Sequence, residues 1–306
     1  MPTVTPATSN AAASSAAASN YYGASPWMRP LRLALAALQR TWPTLGVRAA
    51  YRLFGTPLPL NWLNRRHAPD AGWQRETWAF EKASLGLYTP DAASREAPRV
   101  LLVHGWGGHA GQMLPLAQAL TAAGLTPLLL EMPAHGRSPG TVSNLPQFAR
   151  AIDYVAARLA LEGTALKAIA AHSLGANALA YAASRGLRAE RLVLLAPPAS
   201  PHAFTRYFAH VFGLNERTRA AMQHRIEARE GILMPLFEPD AVGPRIAQPT
   251  LVVHDRDDRV NRFADGVAYR DAIAGAQLIA TQALGHRRIL REPSVLQEVA
   301  AFVSRA

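Results

Sequence analysis

The chain has 306 residues, 49% of them hydrophobic and 17% charged, so it can bury a substantial core. It contains no cysteine, which excludes a disulfide scaffold, a thiolate metal site and a cysteine nucleophile. The net charge is +11, and eight arginines but only one acid, Asp70, lie between Ser25 and Arg75. Because no recognisable nucleic-acid-binding module accompanies this charge, we expect no nucleic-acid partner.

The first 24 residues are mainly Ala, Ser, Thr, Asn and Pro, without periodicity. They lack both the positively charged start and the continuous apolar core of a secretory signal. We therefore predict a disordered tail over residues 1–24 and a cytoplasmic location.

Residues 25–72 are rich in arginine and apolar side chains, and we predict an N-terminal helical arm there. On a helix, Arg29, Arg32, Gln39 and Arg40 fall within about 100° of one another, and Pro43 ends the run. Such a surface fits either contact with anionic lipid or an arm that packs on its own domain. The short, proline-broken run favours the packed arm.

From Trp73 onwards, short apolar runs typical of buried parallel strands alternate with helical patterns. The predicted strands are Arg99–His104, Pro127–Glu131, Leu166–His172, Arg191–Ala196 and Thr250–His254, with antiparallel edge strands at Gln74–Lys82 and Ser84–Thr89. The predicted helices are Gln112–Ala123, Asn144–Leu161, Leu174–Arg185 and Pro293–Arg305. This alternation predicts an α/β domain over residues 73–306, with a mostly parallel, doubly wound sheet whose site lies at the carboxyl ends of the strands.

Residues 200–248 separate two predicted strands by far more than the usual connection of about 2–6 residues. Their aromatic residues at helical spacing, Phe204, Tyr207, Phe208 and Phe212, are more typical of packing than of ligand contact. An insertion at this edge of the sheet is where a helical lid would lie, so we predict a lid.

The sharpest chemical motif is Ala171-His172-Ser173-Leu174-Gly175, between a strand and a helix. A serine on such an exposed, tight turn becomes a nucleophile when a base is near, and the turn needs small residues on both sides. Asp255, Asp257 and Asp258 follow the last predicted strand, and His286 lies nearer the C-terminus. The order Ser, Asp, His predicts a triad in which His286 accepts the serine proton.

A second motif, His104-Gly105-Trp106-Gly107-Gly108, follows the first predicted parallel strand. Its glycines allow backbone N–H groups to approach a ligand, as an oxyanion hole requires. A phosphate loop is disfavoured because the dinucleotide-binding glycine pattern and the Walker lysine are absent. His104 and His109 would supply two metal ligands, but no further ligand is indicated, so we predict neither metal nor cofactor.

These segments, together with Met132–Ser138 and Gly285-His286, resemble the α/β-hydrolase superfamily, specifically its bacterial serine hydrolases with a helical lid. The resemblance extends over about Trp73 to Ala306. It implies that Ser173 is the nucleophile, that His286 is the base and that the backbone N–H groups of Trp106 and Leu174 form the oxyanion hole. The family's register selects Asp258 as the acid, although Asp255 stands where the family usually has glycine and Asp257 is adjacent.

We therefore predict a serine carboxylesterase that cleaves a small-molecule ester through an acyl-enzyme intermediate. The same triad also serves thioesterases, amidases and acyltransferases, and a membrane-peripheral lipid hydrolase is a further alternative. A non-catalytic binding protein is the least favoured, because all three triad residues are present. The sequence leaves the oligomeric state open.

Overall fold

The computed structural model describes residues 28–58, 69, 71–92, 94 and 96–305. The tail predicted over residues 1–24 lies outside the described residues, as does the 59–68 stretch of the predicted arm. The chain divides into two compact units. The larger comprises Gly55–Pro201 and Glu230–Ala306, and the smaller comprises His202–Arg229 with the described residues up to Phe54. No helix in the described ranges is long and apolar enough to cross a bilayer.

The larger unit contains one eight-stranded sheet. Its strands are β1 (Trp73–Phe80), β2 (Ala83–Pro90), β3 (Arg99–Val103), β4 (Thr126–Glu131), β5 (Leu166–His172), β6 (Arg191–Leu195), β7 (Thr250–Asp255) and β8 (Gln277–Thr281). The spatial order is β1-β2-β4-β3-β5-β6-β7-β8. β2 pairs antiparallel with β1 and β4, and all other neighbours are parallel. The predicted mostly parallel sheet with antiparallel strands at one edge is thus confirmed.

Helices cover both faces of this sheet because its central strands are apolar on both sides. Along β3, Leu101 and Val103 face one core, whereas Val100 and Leu102 face the other. The first core includes residues of helices Leu145–Leu161 and Leu174–Ala183, and the second includes residues of helices Leu114–Ala122 and Pro293–Ser304. This arrangement brings the carboxyl ends of the parallel strands to one edge.

Most predicted elements agree with the structure to within a few residues. Asn144 caps the helix Leu145–Leu161, as predicted, and accepts a hydrogen bond from the Gln147 N–H at 2.8 Å. β8 and the helix Phe263–Ala272 were not predicted from the sequence. β8 is a partly exposed edge strand of five residues, so it shows no continuous apolar run. The remaining short elements are helices Pro239–Val242 and Gly285–Arg288 and 3-10 turns Ala110–Met113, Met234–Phe237 and Gly243–Arg245.

The smaller unit is helical and joins the arm to the first part of the insertion. Its helices are Met28–Thr41, Pro43–Phe54, Pro201–Phe212 and Glu216–Glu230, the last two reaching one residue beyond the unit. The Gln39 side chain donates to the Gly213 carbonyl at 3.0 Å and accepts from the Asn215 N–H at 2.9 Å. Gln39 is therefore buried against these backbone groups, whereas Arg29, Arg32 and Arg40, on the same side of the helix, are exposed. Phe208 and Phe212 are buried, as expected for packing residues.

Candidate active site

Ser173 lies on a sharp turn between β5 and the helix Leu174–Ala183. Its backbone has φ 53° and ψ −123°, a strained conformation for a residue with a side chain. The Ser173 N–H donates to the Leu195 carbonyl of β6 at 2.8 Å, which holds the turn in place. A Cβ on Gly175 would lie 2.5 Å from the His104 carbonyl oxygen, so this position requires glycine.

The side chains of Ser173, His286 and Asp258 are joined by hydrogen bonds in that order. The Ser173 hydroxyl donates to His286 Nε2, with Oγ and Nε2 3.0 Å apart. His286 Nδ1 donates to Asp258 Oδ2 at 2.8 Å. Of the three candidate acids, Asp258 is the one that contacts the histidine.

The Asp258 side chain is fully buried, and its carboxylate accepts several hydrogen bonds. Oδ1 accepts from the N–H groups of Val260 at 2.7 Å and Asn261 at 3.0 Å. His254 Nε2 donates to the Asn261 carbonyl at 3.2 Å and lies 3.5 Å from Oδ2. Burial by itself raises the pKa of Asp258, but the hydrogen bonds from His254 and His286 outweigh burial and lower this pKa below its ordinary value. The carboxylate therefore stays ionised opposite His286.

Asp255 holds the loop that carries His286. Its buried carboxylate accepts from the N–H groups of Gly285 at 2.8 Å and Leu284 at 3.1 Å, and from the Thr281 hydroxyl at 2.7 Å. Burial raises the pKa of Asp255, yet these hydrogen bonds bring it below its ordinary value. The exposed Asp257 accepts from the Ala283 N–H at 2.9 Å. Asp255 thus positions the loop, a contact that its place in the sequence does not reveal.

His172, next to Ser173, is a further positioning residue that the sequence analysis left without a role. Its Nε2 donates to the His286 carbonyl at 2.9 Å, and the two rings lie 4.6 Å apart between centroids. Burial lowers the pKa of His172 to about 3, so the ring is neutral at physiological pH. The turn that carries Ser173 and the loop that carries His286 are therefore joined by a direct hydrogen bond.

The predicted oxyanion groups lie on two segments that border the serine. A Cβ on Gly105 would lie 2.9 Å from Ser173 Cβ, so the backbone just before Trp106 passes close to Ser173. Leu174 is the first residue of the helix, where N–H groups have no acceptor within the helix. The Trp106 ring is half-buried, and its centroid lies 5.2 Å from that of His135 and 6.2 Å from that of Phe148.

His104 is structural in this geometry. Its Nδ1 donates to the Gly105 carbonyl at 2.7 Å, and its Nε2 accepts from the Met132 N–H at 3.2 Å. Both ring nitrogens of His104 are therefore already engaged by backbone groups. Across the described part of the chain, no group of three or more His, Asp or Glu side chains is arranged to hold a metal ion.

The loop Met132–Ser138 is held by Glu131, a buried carboxylate that the sequence analysis did not single out. It accepts from the Arg137 N–H at 2.7 Å and from the Ala110 N–H at 3.3 Å. A Cβ on Gly136 would overlap this carboxylate. Glu131 therefore links the loop to the segment that follows the glycine-rich motif.

One known family model matches part of the chain. The family model described as serine aminopeptidase, S33 matches residues 94–232, a range that contains Ser173 but ends before Asp258 and His286. None of the curated proteins matches the sequence significantly.

Many solved structures share the fold. A hydrolase from Pseudomonas aeruginosa is 23% identical, covers 77% of this chain and 100% of its own, and has a TM-score of 0.59. An esterase from Rhodococcus sp. is 17% identical, covers 76% of this chain and 98% of its own, and has a TM-score of 0.56. A membrane phospholipase A, described as a bacterial virulence factor, is 20% identical, covers 90% of this chain and 96% of its own, and has a TM-score of 0.57. Residues 94–232 thus match a family model, and the eight-stranded sheet with its flanking helices has the α/β-hydrolase fold.

Proposed function

We propose that the chain is a serine hydrolase that cleaves carboxylic esters, with Ser173 as nucleophile, His286 as base and Asp258 as acid. The observation that carries the proposal is the continuous hydrogen-bonded chain from Ser173 Oγ through His286 to Asp258, at 3.0 and 2.8 Å. The matched family model and the structural neighbours support a hydrolase, and an esterase and a phospholipase among them favour ester substrates.

In the proposed reaction, Ser173 Oγ attacks the ester carbonyl while its proton passes to His286 Nε2. The N–H groups of Trp106 and Leu174 stabilise the negative carbonyl oxygen. When the tetrahedral intermediate collapses, His286 returns the proton to the departing alcohol. Water, deprotonated by His286, then attacks the acyl-enzyme and releases the acid. The ionised Asp258 stabilises the imidazolium in both halves.

The same geometry serves thioesters, amides and acyl transfer to an alcohol. A set of substrates with one acyl group and different leaving groups distinguishes these reactions. A non-catalytic binding protein is disfavoured, because Ser173, His286 and Asp258 are present and in contact.

The first prediction concerns the nucleophile. Ser173→Ala removes Oγ and leaves the fold intact, so we expect ester hydrolysis to fall by at least about 10³-fold with little change in melting temperature. Rates with p-nitrophenyl acetate and butyrate, measured beside thermal unfolding, test this. Turnover equal to wild type would exclude the proposed mechanism.

The second prediction separates the three acids. Asp258→Asn should lower kcat by about 10²–10⁴-fold, because an amide at this site favours the wrong tautomer of His286. Asp257→Asn, at an exposed position, should change kcat by less than about tenfold. Asp255→Asn places an NH₂ group near two backbone N–H donors, so we expect a loss of about 1–3 kcal/mol of stability and a lower melting temperature. A larger loss of kcat in Asp257→Asn than in Asp258→Asn would move the acid to Asp257.

A second candidate function is a peripheral lipid hydrolase, favoured by the surface of the two N-terminal helices. Leu33, Trp42 and Leu45 are 72%, 62% and 46% exposed. Arginines alternate with these apolar side chains, and the sequence has no acidic residue between Ser25 and Pro69. Such a surface complements an anionic bilayer, where apolar side chains enter the interface and arginines meet phosphate groups. The membrane phospholipase A also covers 90% of this chain.

The third prediction tests this surface by cosedimentation with vesicles. The protein should bind phosphatidylglycerol vesicles, bind phosphatidylcholine vesicles weakly, and lose binding as salt rises. Leu33→Ser with Trp42→Ser should weaken binding at least about fivefold, whereas Leu161→Ser, a control on a still more exposed leucine of the larger unit, should not. Equal binding to both lipids, or no binding, would exclude the second candidate function and leave the first standing.

A further inference from the structure

Asn261 lies beside the candidate nucleophile, although neither the sequence motifs nor the proposed mechanism uses it. It follows Asp258 by three residues and is only 2% exposed. Its side-chain nitrogen Nδ2 lies 2.7 Å from the Ala196 carbonyl oxygen and 3.4 Å from Ser173 Oγ. Two acceptors thus face the two N–H bonds of one buried amide.

The orientation of this amide follows from its neighbours. A carbonyl oxygen only accepts hydrogen bonds, so the nitrogen and not Oδ1 must face Ala196. The opposite orientation would bring two oxygens together at the shorter of the two contacts. One N–H therefore bonds to Ala196, and the second is directed towards Ser173 Oγ.

The backbone of Asn261 is held by the same network that holds the acid. Its N–H donates to Asp258 Oδ1 at 3.0 Å, and its carbonyl accepts from His254 Nε2 at 3.2 Å. These two bonds fix the Cα of Asn261 relative to Asp258. The side-chain amide is therefore pre-positioned against the serine.

A donor at this place has a defined chemical effect. A hydroxyl group has one proton and two acceptor lone pairs. When the amide N–H occupies one lone pair and the O–H points to His286, the other lone pair is left for the carbonyl carbon. As the Oγ proton moves to His286, negative charge grows on Oγ, and a pre-positioned N–H stabilises it. Long contacts of this kind commonly shorten when the reacting complex forms.

We propose that Asn261 is a further catalytic residue of the ester hydrolysis proposed above, donating a hydrogen bond to Ser173 Oγ. During acylation, the Oγ–C bond forms, the Oγ proton goes to His286 Nε2, and the carbonyl π pair goes to the carbonyl oxygen. During deacylation, Oγ is the leaving group: its bond to carbon breaks, and it takes the proton back from His286. The Asn261 N–H stabilises Oγ in both steps. This inference rests on the proposed function.

The alternative is that Asn261 only fastens the Ala196 backbone, whose φ of 47° is unfavourable for alanine. Asn177 offers a matched control. It is 1% exposed, and its Nδ2 lies 3.0 Å from the Pro198 and Phe237 carbonyl oxygens and 2.6 Å from the Tyr269 hydroxyl oxygen, so its two N–H bonds are shared among these three oxygens. Both amides are buried and bond to the backbone just after β6, but the acceptors of Asn177 lie outside the triad.

The experiment compares Asn261→Leu and Asn177→Leu with wild type in p-nitrophenyl butyrate hydrolysis and thermal unfolding. We expect both variants to lose melting temperature, since each leaves buried carbonyls unpaired. Only Asn261→Leu should lose kcat, by about 10- to 100-fold with KM within about twofold, because its bond strengthens in the transition state. Should Asn261→Leu fail to fold, Asn261→Asp, which has the same shape but no N–H when ionised, carries the same expectation.

Three outcomes overturn the proposal. If the Asn261 variant has a kcat within threefold of wild type, the hydrogen bond from Asn261 to Ser173 Oγ does not contribute to catalysis. Equal kcat losses in the Asn261 and Asn177 variants assign Asn261 a structural role. Both of these results leave the proposed function intact, whereas absence of ester turnover by the wild type overturns the proposed function and this inference together.

Discussion

The turn at Ser173 is the constraint on which the arrangement of the site depends. A serine with φ 53° directly after a buried strand is strained, and it persists because neighbouring strands hold its backbone. The Leu195 carbonyl bonds to the serine N–H, and the His104 backbone leaves no room for a side chain at Gly175. Because β3 and β6 flank β5 on its two sides, the parallel sheet itself fixes the position of Oγ.

The histidine and the acid reach the serine through a second set of constraints, which are electrostatic. Asp258 is buried, and its carboxylate is stabilised by donors from His254, His286 and the following backbone. Asp255, one turn earlier, uses its carboxylate on the loop before His286. The two buried carboxylates therefore have different roles. Asp258 contacts His286, and Asp255 fixes the position of the loop that carries His286.

Histidines that are buried and neutral complete the arrangement. His172 bonds to the His286 backbone, and His104 joins the glycine-rich segment to the start of the next loop. Burial lowers the pKa of both rings, so neither carries a charge that would compete with the imidazolium of His286 during the proposed reaction. Their role is to connect loops that follow different strands.

Much of the fold was accessible from the sequence, because buried parallel strands leave continuous apolar runs and the helices between them carry clear signals such as the Asn144 cap. β8 could not be predicted in this way, since a partly exposed edge strand needs no continuous apolar run. Within the site, Ser173 and His286 follow from motif order, whereas Asp258 was selected among three candidate acids by the resemblance to the family; the structure brings the three side chains together. The contacts of Asn261 and Asp255 depend on which loops meet in the folded protein, and the local sequence pattern does not predict those meetings. The contacts of Gln39 with the backbone of Gly213 and Asn215 likewise depend on the tertiary structure.

Labelling of the purified full-length protein with a fluorophosphonate probe, followed by peptide mapping, tests the activation of Ser173 most directly. A serine whose proton is accepted by His286 reacts with such a probe, whereas an ordinary serine hydroxyl does not. We expect one adduct, on the peptide that contains Ser173, and its loss in the Ser173→Ala variant. A folded protein that is not labelled, or is labelled at another residue, would contradict the proposed catalytic role of the Ser173–His286–Asp258 arrangement.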